Sequence, residues 1–207
     1  MFRNNKFYLV IGTVILLILA YFFLGSGKQE IKNYPSSGTD IIAFGDSLVE
    51  GVGSTSGNDF ISLLSKKIGR PIINLGVSGN TTQDGLDRIS QLDNYKPKVV
   101  ILLLGGNDHL RKVPIETTFN NLEKIIKNIQ GRGAVVLLLG VRGNLIGDKF
   151  KSNFEDLSEE YETAYVSDVL SGLFADSRYM SDAVHPNDAG YKKITDRVYP
   201  VLLNLIK

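Results

Sequence analysis

Four apolar runs that each stop on a glycine constrain this chain more than any other feature: Ile41–Phe44, Pro71–Leu75, Val99–Leu104 and Ala134–Leu139. A weaker run follows at Ala164–Val166. Short runs without polar alternation read as strands buried on both faces. Helical patterns separate them at Phe60–Ile68, Thr82–Leu92 and Ile115–Gln130. The last is the clearest, since Phe119, Leu122, Ile125, Ile126 and Ile129 recur at the spacing of one helix face. A final helix is expected after Asn187, with Tyr191, Ile194, Val198, Val201, Leu202 and Leu205 on its apolar side and a kink at Pro200. This alternation predicts an α/β domain with a central parallel sheet, because parallel neighbours need crossovers and the crossover helices cover the sheet. In such sheets ligands bind beyond the carboxyl ends of the strands.

The residues at those ends are therefore the ones to read for chemistry. The first run leads into Gly45, Asp46 and Ser47, the second into "NLGVSGNTT", the third into "GGND", and the last loop before the final helix is "SDAVHP". Taken singly, each has an ordinary structural explanation as a turn or a helix cap. Together they supply the parts of an acyl-transfer site. A serine hydroxyl needs a base to take its proton, and the chain has only two histidines, His109 and His185. His185 has Asp182 three residues before it, close enough for one turn to aim both into a cleft and for the carboxylate to hold the imidazole. His109 has Asp108 beside it, but adjacent side chains generally point apart, so His185 is the better base. His109 is expected to cap a helix, with contact to substrate as the alternative. The N–H groups of Ser47 and Gly79 and the amide of Asn107 are candidate donors to an oxyanion, each worth about 3–4 kcal/mol when one is removed. Asp46 is read as a hydrogen-bonding support for its own turn.

Other classes fit less well. The chain has no cysteine, which excludes disulfides, thiolate nucleophiles and Cys-based zinc sites. Its formal net charge of +1 gives no electrostatic reason to expect nucleic acid. "FGDSLVEG" as a phosphate-binding turn lacks the Gly-x-x-x-x-Gly-Lys pattern and a second acidic residue spaced to hold magnesium. A non-catalytic envelope-binding module would have no need of Ser47, Asp182 and His185 together. Nothing in the sequence sets an oligomeric state.

The set of motifs resembles the SGNH or GDSL hydrolase superfamily: Ser47 in "GDSL", Gly79 in "SGNTT", Asn107 in "GGND", and Asp182 with His185 in "DAVHP", in that chain order. The stretches "SGNTTQDGLDRI" and "LLLGGNDHLR" are similar to the bacterial arylesterase, acyl-CoA thioesterase I and lysophospholipase L1 group. The resemblance implies a flavodoxin-like three-layer α/β/α sandwich, no metal and no cofactor. It also implies hydrolysis of small acyl esters, thioesters or lysophospholipids through an acyl-enzyme, with a carbohydrate O-acetyl esterase as the alternative. His109 departs from the small residue expected after "GGND". The segment from Gly140 to Phe150 is expected to border the cleft.

The amino terminus is a separate object. Phe7–Leu24 carries no charge, and as a helix it is about 27 Å long, close to the hydrocarbon thickness of a bilayer. Arg3 and Lys6 precede it, so residues 1–27 are expected to form a single membrane anchor, or an uncleaved signal, with the catalytic domain outside the cytoplasm. Gly25 and Gly27, small enough for a cleavage site, leave a removed signal peptide as the alternative. Residues 28–40 read as a tether, and residues 41–207 as the hydrolase domain.

Overall fold

The computed structural model describes residue 8 and residues 11–14, 30–141, 149–174 and 176–207. The chain divides into two units, residues 1–30 and 31–207. The expected anchor, apart from Tyr8 and residues 11–14, lies outside the described residues. Among the described residues no helix is long and apolar enough to cross a membrane.

The second unit is built on the five expected strands: β1 Asp40–Gly45, β2 Ile73–Gly76, β3 Pro97–Leu103, β4 Val135–Leu139 and β5 Ala164–Val166. All pairings are parallel, in the order β2-β1-β3-β4-β5. Ile41, Ile42, Ala43 and Phe44 of β1 and Val99 to Leu103 of β3 are buried on alternate sides, so both faces of the sheet are covered. Each such aliphatic side chain contributes about 1.5–3 kcal/mol relative to exposure, which is why these runs carry no polar alternation. The chain moves outward from β1 to β2 and then crosses to β3 on the other side of β1. The crevice between β1 and β3 is therefore the topological switch point, where ligands bind in sheets of this order. Register completes the placement: Gly45 lies opposite Leu103, so the turns after β1 and β3 emerge side by side.

Helices α1 Ser47–Glu50, α2 Phe60–Ile68 and α3 Thr82–Asp87 come first in the chain, each with a side-chain cap at its start. Then come α4 Gly106–Leu110, α5 Ile115–Gly131, α6 Lys149–Glu160 and α7 Asp188–Leu205. α2 packs on α7, and α5 carries α3 and α6. The helices differ from the sequence reading in two respects, the course of one and the presence of another. The helix expected over Thr82–Leu92 stops at Asp87 and resumes as a 3₁₀ helix, Ile89–Asn94. The break falls at Arg88, whose guanidinium turns inward. Pro200, the expected kink point, lies inside α7, which runs on to Leu205. Helix α6 is additional, and its signal is Phe150, Phe154 and Leu157 at the i, i+4, i+7 spacing of one face, all buried.

The expected tether also needs correction, because residues 31–39 are built into the domain. The Lys32 N–H donates to the Glu162 carbonyl at 2.9 Å. Asn33 Nδ2 donates to the carbonyls of Gln130 and Ala134 at 2.9 and 3.0 Å, and Ser36 Oγ to that of Gly133 at 2.7 Å. Ile31 packs against the core. A polar, breaker-rich stretch resembles a linker in sequence, but its polar groups here satisfy carbonyls at the end of α5 and the start of β4.

Candidate active site

Ser47 opens α1 directly after β1. Asp46 caps that helix, its Oδ1 accepting the Leu48 N–H at 3.0 Å, as expected of a support for the turn. The helix is only four residues long and ends at Gly51, after which the chain turns beneath the loop that carries His185. Gly53 makes that approach with φ +95°, and a Cβ there would stand 2.5 Å from the Pro186 carbonyl oxygen. The two loops meet so closely because position 53 has no side chain.

The His185 loop is held shut at its base. Met180 bridges to Pro186, the Ser181 N–H donates to the His185 carbonyl at 2.9 Å, and Asn187 caps α7. Within it, Asp182 Oδ1 accepts the N–H groups of Val184 and His185, each at 2.8 Å. Its Oδ2 lies 2.7 Å from His185 Nδ1. His185 Nε2 in turn lies 3.1 Å from Ser47 Oγ. The side-chain bond from His185, aided by the two backbone N–H groups, holds the Asp182 carboxyl down at about 2. It is therefore ionised throughout the neutral range and able to hold Nδ1 in its protonated tautomer. That leaves Nε2 free to accept a proton from Ser47.

Ser47, Gly79, Asn107 and His185 line a single cleft of about 660 Å³. Among the described residues no acceptor takes the N–H of Ser47 or Gly79. Gly79 has φ +79°, and Arg111 Nη2 binds its carbonyl at 2.8 Å. Asn107 Nδ2 donates one hydrogen to the Asn80 carbonyl at 3.0 Å. Asp108, next in sequence, points the other way, into the core, where it accepts the Thr82 N–H at 2.8 Å and the Thr82 hydroxyl at 2.6 Å. Of the two expectations for His109, its place fits the substrate side rather than the cap: its ring meets Phe150 edge-on, with centroids 5.2 Å apart, and lines the cleft. Most of the remaining wall is apolar, formed by Leu110, Val141, Phe150, Leu170, Phe174 and Val184, with Ser78, Asp168 and Ser171 beside them. Gly140–Phe150 was expected at this border. Val141 and Phe150 are there, and residues 142–148 lie outside the described residues. A smaller cavity of about 480 Å³, lined by Asn58, Lys67, Asp188 and Asp196, lies apart from these groups. Its charges are already engaged, Lys67 with Asp196 and Asp188 with Thr55 and Asn58. Among the described residues no three His, Asp or Glu side chains converge to hold a metal ion.

Sequence reading missed Arg88, Asn80 and Gly53. An arginine in a helical stretch looks solvated, and only the fold turns this one inward. Gly53 had a signal, since two glycines flank a single valine after α1.

Burial raises the Asp46 carboxyl to about 7, opposed chiefly by the Leu48 N–H and the charge of His185. The folded chain therefore binds a proton that the unfolded chain releases near 3.9, so this group's contribution to stability is lost as pH rises from about 4 to 7. Asp46→Asn keeps an acceptor for the cap and does not titrate. Between pH 5 and 8 the wild type should lose about 2–3 kcal/mol more unfolding free energy than Asp46→Asn, measured by urea denaturation. Equal pH slopes in the two proteins would contradict the buried, proton-binding carboxyl.

A hydrogen-bonded Ser-His-Asp chain at the switch point of a parallel sheet, opening on a cleft that Gly79 and Asn107 also line, is the arrangement of a serine hydrolase. The profile of the GDSL-like Lipase/Acylhydrolase family matches residues 43–193, and the chain belongs to that family. It is 28% identical over 178 residues to the Esterase TesA of Pseudomonas aeruginosa, covering 80% of this chain and 89% of that protein. Over 165 residues it is 27% identical to the thioesterase 1/protease 1/lysophospholipase L1 of Escherichia coli K12, covering 75% and 79%. Its fold superposes on the psychrotrophic esterase EstA of Pseudoalteromonas sp., in a structure inhibited by monoethylphosphonate. The TM-score is 0.73 at 26% identity, covering 81% of this chain and 98% of that one.

Proposed function

We propose that the chain hydrolyses carboxylic esters and thioesters of modest size, lysophospholipids among them, through an acyl-enzyme on Ser47. The hydrogen-bonded line from Asp182 through His185 to Ser47, opening into a largely apolar cleft, carries this reading. In the first half-reaction Ser47 Oγ attacks the acyl carbon while its proton passes to His185 Nε2. The carbonyl oxygen becomes an oxyanion facing the N–H groups of Ser47 and Gly79 and the second amide hydrogen of Asn107. Collapse expels the alcohol or thiol, which takes the proton from His185. Water then attacks the acyl-enzyme, giving its proton to His185 and releasing the acid, while Ser47 recovers its proton. Asp182 stabilises the imidazolium in both halves and is not itself protonated.

The relatives' names, esterase and thioesterase/lysophospholipase, support this substrate range. The apolar run Phe7–Leu24, with Arg3 and Lys6 before it, supports a further part of the reading: a single membrane span with the catalytic domain on the extracytoplasmic side. The test is a phosphonate ester probe followed by peptide mapping, together with a panel of p-nitrophenyl esters, acyl thioesters, lysophospholipids and acetylated sugars. Modification at Ser47 and turnover of acyl esters are expected. A folded protein that resists the probe and hydrolyses none of the panel is a binding module instead. Turnover confined to acetylated sugars makes it a carbohydrate O-acetyl esterase.

A further inference from the structure

Arg88 is half-buried and reaches separate parts of the site at once. Its Nη2 donates to the Gly45 carbonyl at 2.7 Å, two residues before Ser47. Its Nε donates to Asn80 Oδ1 at 2.6 Å, one residue after Gly79. Its guanidinium lies 4.0 Å above the Phe44 ring, and Nη1 reaches Gln91 Oε1 at 3.2 Å. Asn80, held this way, presents its carbonyl to Asn107 Nδ2. Three strand ends, those of β1, β2 and β3, are thus joined through one planar cation.

We propose that Arg88 is a positioning residue that, through Asn80, sets the placement of the oxyanion donor Asn107 relative to Ser47 and Gly79. The proposal rests on the oxyanion roles given to those residues above. The Asn107 amide has two hydrogens, and the one committed to the Asn80 carbonyl decides which way the group faces. Turned over, the amide would present an acceptor to the oxyanion instead of a donor. Arg88 acts on this through Asn80, while its bond to the Gly45 carbonyl anchors the guanidinium at the end of β1. A guanidinium suits the task because its donors are fixed in a rigid plane and its bonds are charge-assisted. Donors held in place before reaction stabilise developing charge without reorganisation. Arg111, bonded to the Gly79 carbonyl, pins the same turn from the solvent side.

The experiment measures kcat, KM and urea midpoint for the full chain on p-nitrophenyl butyrate, in Arg88→Met, Asn107→Ala and the double variant. Arg88→Met is expected to lower kcat about tenfold or more, with KM within about threefold, and Asn107→Ala to lower kcat about 100-fold. In the Asn107→Ala background, Arg88→Met should lower kcat by less than about threefold further, since the two act on one donor set. An equal factor in both backgrounds overturns the proposal and leaves Arg88 a structural residue. Asn80→Ala is the second variant, for it retains the bonds of Arg88 to Gly45 and its stacking on Phe44. It should reproduce the kcat loss with an unchanged midpoint, and wild-type kcat in it overturns the proposal. Full kcat in Asn107→Ala alone refutes the oxyanion assignment beneath, and this inference with it.

Discussion

Ser47→Ala is expected to lower kcat for acyl-ester hydrolysis at least about 10⁴-fold, which is about 5 kcal/mol of transition-state free energy at 1.36 kcal/mol per tenfold. The loss is large because no neighbouring group can replace the hydroxyl: His185 would remain, with only water to activate. What residual rate persists should come from the oxyanion donors and the cleft. The fold should not suffer. Among the described residues the Ser47 side chain makes one hydrogen bond, to His185, and alanine is a good residue for the first turn of a helix. The urea unfolding free energy should therefore stay within about 1 kcal/mol of wild type while phosphonate labelling disappears. Retention of a tenth of the activity would remove Ser47 from the mechanism.

The two histidines should separate just as widely. His185→Ala deletes the base, the acid and the partner of Asp182 together, and a loss of about 10⁴-fold or more in kcat is expected. His109→Ala removes a ring that lines the cleft and touches Phe150 but, among the described residues, has no carboxylate partner, Asp108 being engaged by Thr82. Its kcat should stay within a few-fold of wild type, with the change concentrated in KM. Steady-state kinetics on one ester settle the comparison, and similar kcat losses in the two variants would reject the choice of base. The structure sharpens this result in one respect. His109 is part of the cleft wall rather than a cap, so some change in KM is expected where a capping residue would give none.

Much of the fold could be read in advance because its signals are local. Strands β1, β3 and β4 are uninterrupted aliphatic runs, and a sheet buried on both faces demands that pattern whatever else the chain does. The stripe on α5 is equally local. Boundaries moved where a distant partner intervened: α3 ends at Arg88, which turns toward a carbonyl 43 residues earlier. Residues 31–39 looked like a tether because polarity and breakers describe a linker and a well-bonded edge segment alike. The distant carbonyls they bond, those of Gln130, Gly133, Ala134 and Glu162, distinguish them.

The candidate site divides along the same line. Asp182 and His185 are three residues apart, so their pairing was available from chain geometry. Asp46 as support for its own turn rests on a bond spanning two residues. The sequence by itself determined which residue types stand at the strand ends, because motif and strand are covalently continuous. Tertiary structure alone decided that His185 reaches Ser47 across 138 positions, that Gly53 lets their loops meet, and that Arg88 faces inward. The physical reason is range: periodicity and capping act over a few residues. The direction of a buried cation or imidazole depends on charges and carbonyls that only the folded chain brings near.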